Sequence, residues 1–112
     1  MIFSESLKKN REFQIVYKKG KSYANKYLVM YVLSNESEKN RLGVSVSKKV
    51  GNSVVRHRLT RLIRESYRLQ ESRFQKGLDI VVICRAGAKG KKYKDVEKAL
   101  IHLGKLHNII DS

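Results

Sequence analysis

Apolar residues along this chain repeat with two different periods, and the changes between them divide it into elements. From Leu28 to Leu33 every position is apolar. Strand alternation places Leu28, Met30 and Val32 on one face and Val29, Tyr31 and Leu33 on the other. A strand over Tyr27 to Ser34 therefore needs cover on both sides, or lines a cleft with one of them. A shorter strand, Lys21 to Asn25, precedes it, and the polar run NESEKN (Asn35 to Asn40) reads as a turn. Leu42, Val44 and Val46 then alternate with Gly43, Ser45 and Ser47, which predicts a third strand with one small, polar face. Beside an aromatic strand such a face leaves room for a flat group, although Ser and Gly on a solvated sheet face are ordinary. Leu78 to Cys84, LDIVVIC, is almost continuously apolar and reads as a central or parallel strand covered on both faces.

Helical spacing takes over in three places. Asn10 is placed to cap REFQIVYKK, which closes at Gly20, with Leu7 ahead of it to pack on the first turn. A long helix follows the Gly51-Asn52 turn, runs to about Phe74 and ends before Gly77. The last helix, Tyr93 to Ile110, carries Val96, Ala99, Leu100, Leu103, Leu106 and Ile110 as a stripe for the sheet. The predicted order is α-β-β-β-α-β-α, an α/β fold in which helices pack in two layers with a four-stranded mixed sheet. By itself this pattern favours a right-handed crossover around the middle helix.

Charge changes the picture most at that helix. Arg41 to Arg68, RLGVSVSKKVGNSVVRHRLTRLIRESYR, holds eight Lys or Arg residues and one acid, Glu65. At about 100° per residue, Val55, Leu59, Leu62, Ile63 and Ser66 share one side. Arg61, Arg64 and Arg68 share the opposite side with His57, flanked by Arg56 and Arg58. A solvated face needs charges, but not charges of one sign. Such a face is tolerated when a polyanion supplies the counter-charge, which points to nucleic acid. The whole chain agrees: 25 Lys and Arg against 10 acids give a net charge of +15 over 112 residues. That length and a 41% hydrophobic composition fit one domain, spanning 1–112, with one modest core. Neither a signal-peptide stretch at MIFSESLKK nor a membrane-length run is present. The single cysteine, Cys84, reads as a small core residue, and an intracellular setting fits it.

Catalytic chemistry is hard to assemble from these residues. The acids Glu5, Glu12, Glu36, Glu38, Glu65, Glu71, Asp79, Asp95, Glu97 and Asp111 form no short paired motif. His57, His102 and His107 make no zinc-like ligand set with Cys84. His102 and His107 read as ordinary polar positions; His57, among arginines, reads as an RNA-facing contact before a solvated residue or a catalyst. Phosphate-loop and dinucleotide fingerprints are absent, because Lys48-Lys49 precede Gly51 and the glycines lack companions. The connection does offer an anion site, with Asn52 or Ser53 as cap and Lys48, Lys49 and Arg56 around it. Lysines of the loop RAGAKGKK (Arg85 to Lys92) reach phosphate or simply decorate a surface. Phe13 and Tyr17, four apart, read first as core; if exposed, they and Tyr31 can stack on bases. A binding subunit is therefore favoured over an independent catalyst.

Three stretches, EFQIVYKKGKSYANKYLVMYV, RLGVSVSKKVGNSVVRHRLTRLIRE and DIVVICR, resemble the protein subunit of bacterial ribonuclease P, over nearly the whole chain from Leu7 onward. One departure is Arg56-His57-Arg58, where the family pattern usually reads Arg-Asn-Arg. The resemblance implies a left-handed crossover in place of the usual right-handed one. It implies a cytoplasmic protein that partners a catalytic RNA, which removes the 5′ leader of precursor tRNA with Mg²⁺ held mainly by RNA. It implies no protein metal site, no catalytic side chain, no membrane and no obligate protein partner. Phe13, Tyr17 and Tyr31, with Ser45 and Lys48, match the cleft for the single-stranded leader. Lys49, Asn52, Arg56, Arg58, Arg61 and Arg64, extended by His57 and Arg68, match the surface facing the catalytic RNA. The alternative is a ribosomal-type or general structured-RNA-binding module, and an autonomous ribonuclease or a DNA binder stands behind that.

Overall fold

The computed structural model describes residues 4–110, so Asp111 lies outside the described residues, as do the ends of the 1–112 span. Its elements are β1 (Ser4–Ser6), α1 (Asn10–Lys19), β2 (Lys21–Ala24), β3 (Leu28–Ser34), β4 (Asn40–Ser45), α2 (Ser53–Gln70), β5 (Leu78–Cys84) and α3 (Tyr93–Leu106). They form one five-stranded sheet in the order β1-β4-β5-β3-β2. β1, β4 and β5 run parallel, while β3 is antiparallel to both β5 and β2. β5 is thus the central strand, and α2 is the crossover between parallel neighbours.

The expected four strands become five because β1 precedes α1. SES is too short and too polar to carry an alternation, and its three residues pair with Asn40, Arg41 and Leu42 as an edge. What anchors it is a buried polar knot. Ser4 Oγ and Tyr67 Oη lie 2.8 Å apart, and Asn40 Nδ2 donates both to that phenol and to the Gln75 carbonyl. Asn40 Oδ1 accepts from the Leu78 N–H. Burial pushes the Tyr67 phenol above its ordinary range, with Ser4 and Asn40 opposing the shift.

Helix ends differ from the sequence expectation in three places. Asn10 is the first helical residue of α1 and not its cap. Lys9 takes the cap position, and the Glu12 carboxylate reaches back to its N–H at 3.1 Å. α2 ends at Gln70, followed by a 3₁₀ turn, Glu71–Arg73, before Gly77 turns with a left-handed φ of 82°. α3 stops at Leu106, which is exposed, and the chain reverses through Asn108 (φ 60°). Ile110 is nevertheless buried, bridging to Phe74 from beyond the helix.

The sheet faces divide as the alternation predicts. Leu28, Met30, Leu42, Ile80 and Val82 pack with Leu59, Ile63 and Tyr67 of α2 and Leu100 and Leu103 of α3. The other face has a smaller core, Leu7, Val16 and Val81, flanked by Phe13, Tyr17, Tyr31, Leu33 and Ile83. Cys84, a free thiol at the end of β5, is buried, and burial pushes it up to about 11. His107 is not an ordinary surface position. Its Nε2–H donates to the Met30 carbonyl at 2.8 Å, and its ring stands edge-on to Tyr23 at 4.7 Å. His102, by contrast, is exposed and pairs through Nδ1 with Asn25 Nδ2.

Burial holds His107 below the usual histidine range, against the opposing pull of the Met30 carbonyl. The unfolded chain therefore binds this proton first. Its contribution to stability is complete above about pH 6.5 and is lost as pH falls from there toward the folded value. Denaturant midpoints between about pH 7.5 and 5.5 should fall in the parent and fall less in His107→Gln. An equal fall in both would place the titrating group elsewhere.

Candidate nucleic-acid interface

Strand register lays the α1-side face out in rows. Arg41, Asp79 and Leu33 form one row, Gly43, Val81 and Tyr31 the next, and Ser45, Ile83 and Val29 a third. α1 crosses these rows. The Phe13 ring lies against Gly43, where an added Cβ would come within 2.6 Å of its Cζ. The flat group admitted by the small residues of β4 is thus first the protein's own phenyl ring. Phe13 meets Tyr17 edge-to-face at 6.4 Å, and Tyr17 meets Tyr31 at 5.1 Å. All three are half-buried, so each presents part of its ring to solvent. Burial raises the Tyr17 phenol above its ordinary value, and a hydrogen bond with Ser45 opposes that shift. Ser45 ends β4, and Lys48 stands exposed in the turn beyond it. The structure therefore brings Phe13, Tyr17, Tyr31 and Ser45 together; Lys48 lies three residues beyond Ser45, exposed in the turn that follows β4.

The first row closes the other end of this cleft with charge. Asp79 is buried, and Arg41 grips it through Nε at 2.9 Å and Nη2 at 2.7 Å. The same guanidinium reaches Glu12 through Nη1, and Asn35 Nδ2 adds a bond to Asp79 at 2.9 Å. Asp79 raises Arg41 further above its ordinary pKa, while the Lys9 N–H holds Glu12 low. Sequence reasoning counted these residues and gave them no role. The available signal was a lone carboxylate inside an otherwise apolar strand, which requires a partner.

On the opposite layer, the exposed Asn52 caps α2 by accepting the Val55 N–H through Oδ1 at 3.0 Å. Gly51 allows the tight approach to Val55, whose Cγ1 would lie 2.7 Å from an added Cβ. Lys49, His57, Arg58 and Arg61 are exposed, and a groove of about 450 Å³ runs between Ser53, Val54, His57, Arg58 and Arg61. Several of the basic residues are partly engaged, the exposed Arg58 among them. Arg64 is half-buried and donates to Ser6 Oγ, Arg68 is paired with Glu65, and Arg58 donates to the Lys91 carbonyl. Arg56 lies partly under the surface, with a buried Nε that has no hydrogen-bond partner among the described residues.

Among the described residues no three His, Cys, Asp or Glu side chains gather as metal ligands. Glu12 and Asp79 are held on one cation, with the Arg41 guanidinium between them. No described helix is long and apolar enough to cross a membrane.

A basic helix face on one layer and an aromatic cleft on the other define a small α/β protein of the nucleic-acid-binding class. The sequence profile of the family described as Ribonuclease P matches residues 2–107. The ribonuclease P protein component of Lachnoclostridium phytofermentans is 67% identical over 97% of this chain and 94% of its own length. That of Alkaliphilus metalliredigens is 53% identical over 89% and 90%. Among solved structures, the Staphylococcus aureus RNase P protein superposes with a TM-score of 0.88 at 39% identity, covering 96% of this chain and 99% of that one. The Thermotoga maritima RNase P protein gives 0.84 at 33% identity over the same shares. This chain belongs to the ribonuclease P protein family: it is the protein subunit of that tRNA-processing ribonucleoprotein, partnered with its RNA.

The ion cluster should be worth more than a surface pair, because without Arg41 the buried Asp79 keeps only the Asn35 amide as partner. The Arg41 side chain is 34% exposed, so the cost falls below that of a fully buried pair. Arg41→Met should cost about 2–3 kcal/mol in urea unfolding, with much of it recovered in Arg41→Met/Asp79→Asn. Additive losses in the double variant would show that the pair is not coupled.

Proposed function

We propose that this subunit holds the single-stranded 5′ leader of precursor tRNA in the cleft between α1 and the sheet. On this reading its α2 face rests on the catalytic RNA, and residues 1–112 act as one RNA-binding domain in the cytoplasm. The observation that carries it is the edge-to-face series Phe13, Tyr17, Tyr31, half-buried on the sheet face whose first row is closed by the Arg41–Asp79 pair. Bases have π-faces whatever their sequence, so such a series accepts an extended strand without reading it. The Ser45 hydroxyl and Lys48 ammonium then meet its sugars and phosphates. Cleft and basic face lie on opposite layers, which lets one small protein touch leader and catalytic RNA together.

On the α2 layer Lys49, Asn52, Arg56, His57, Arg58, Arg61, Arg64 and Arg68 offer charge and donors to phosphates. His57 supplies a ring nitrogen where the family usually has an amide. Arginines at helical spacing neutralise a backbone without fixing its sequence. Hydrolysis of the phosphodiester at the leader junction is assigned to the RNA, which holds Mg²⁺ with the substrate phosphates. The protein's share is positional and electrostatic: it extends the leader beside the cleavage site and reduces repulsion between two polyanions.

The decisive experiment is cleavage of 5′-labelled precursor tRNA at low Mg²⁺ by protein alone, ribonuclease P RNA alone, and both. Correct maturation that is far faster with both is expected. Cleavage by protein alone would move the chemistry into the protein, and tight RNA binding without stimulation would favour a general RNA-binding module. Phe13→Ala or Tyr17→Ala should weaken precursor binding by roughly 1–3 kcal/mol while leaving mature tRNA nearly unchanged. Equal losses for the two substrates would remove the leader from this cleft.

A further inference from the structure

We propose a second RNA-binding site on this protein: a pocket at Tyr27 that takes an unpaired nucleotide of the catalytic RNA. It lies on the α2–α3 layer, away from the leader cleft. The β2–β3 turn is pinned there. Asn25 Oδ1 accepts the Tyr27 and Leu28 N–H groups, and its Nδ2 donates to the Ala99 carbonyl of α3 at 3.0 Å. Arg85 adds a bond from Nη1 to the Asn25 carbonyl at 2.8 Å. Between turn and helix an open pocket of about 300 Å³ remains, lined by Asn25, Lys26, Tyr27, Asp95, Lys98 and Ala99. Ala99 and the half-buried Tyr27 ring give it an apolar floor with room for one aromatic base.

Its rim is cationic. Lys26 and Lys98 are exposed on two sides, and the Lys91 ammonium lies 5.5 Å from the centre of the Tyr27 ring. Lys89 and Lys92 are exposed in the adjoining loop. The one acid on the pocket wall, Asp95, accepts the Lys92 N–H. Loose surface lysines would explain the charge alone, but this loop is built in. Ala88 and Lys91 N–H groups close turns at 3.0 Å, and Arg58 of α2 donates to the Lys91 carbonyl at 2.8 Å. That bond joins the pocket's loop to the basic helix. The occupant therefore comes from the polyanion on α2, and a ring under a ring of cations selects a stacked nucleotide over a bare phosphate. The α2 assignment above is a premise for which RNA enters, and the test separates the two.

The chain contains no tryptophan, so Tyr27→Trp places a single tryptophan in the pocket, excited selectively at wavelengths where the remaining tyrosines do not absorb. Titration of this variant with ribonuclease P RNA should quench its emission to saturation. Adding Lys26→Glu and Lys98→Glu, two exposed changes that spare the core, should abolish the quenching. It should also weaken affinity about tenfold and flatten the salt slope by about 1.5. Arg61→Ala/Arg64→Ala combined with Tyr27→Trp alone should weaken binding yet leave quenching at saturation. Unchanged emission with intact Arg61/Arg64 dependence would overturn the pocket and spare the α2 face. Quenching without that dependence would keep the pocket and remove the premise. Equal quenching by polyglutamate would overturn the proposal in favour of an acidic protein partner.

Discussion

The Arg41 guanidinium lies between two carboxylates that belong to different layers of the molecule. Asp79 sits near the start of the central strand, where every other side chain is apolar, and Arg41 and Asn35 hold its carboxylate with three hydrogen bonds. Glu12 belongs to α1 and already closes that helix's first turn. One side chain therefore joins β4, β5 and the start of α1. The rest of the α1 layer is thin, with Leu7, Val16 and Val81 as its only buried apolar members among the described residues. A helix resting on so little core needs a directional tie to keep its register over the sheet. That register decides where Phe13 and Tyr17 meet Gly43 and Tyr31.

The same economy governs the charge. With 25 cations and 10 acids, the molecule cannot neutralise itself, and its few strong ion pairs are placed where geometry is needed. On α2, Arg64, Arg58 and Arg68 each touch a neighbour without being withdrawn from the surface. Such contacts limit the rotamers of long side chains, which lowers the cost of ordering them against a polyanion. The larger core of α2, α3 and the sheet gives the helix a fixed platform, so its basic residues are presented as a pattern and not as a loose cloud.

Much of this was legible in the residues. The two-faced run from Leu28 to Leu33 announced a strand covered on both sides, and LDIVVIC announced the centre of the sheet. The division of α2 was visible from spacing alone, because Leu59 and Ile63 could not share a side with Arg61 and Arg64. The missed parts share a physical cause. β1 is three polar residues whose strand character comes from partners far along the chain, Asn40 to Leu42 and Tyr67. Glu12 took the capping task from Asn10 because its longer side chain could reach back while also meeting Arg41. His107 looked ordinary because nothing local reveals that a carbonyl on β3 waits for it. Long-range contacts of polar groups leave no period in a sequence; apolar burial does.

The thiol of Cys84 gives the fold a built-in clock. It closes the central strand opposite Leu28, buried and pushed up to about 11. At neutral pH it is neither accessible nor ionised enough to meet an electrophile while the sheet is intact. Alkylation there counts openings of the core between the sheet and the α2–α3 layer, a local gauge of how often that platform comes apart. Because no second cysteine competes for the reagent, that count can be taken on the isolated subunit and again inside the ribonucleoprotein. The difference between the two measures how much rigidity the RNA returns to the protein that supports it.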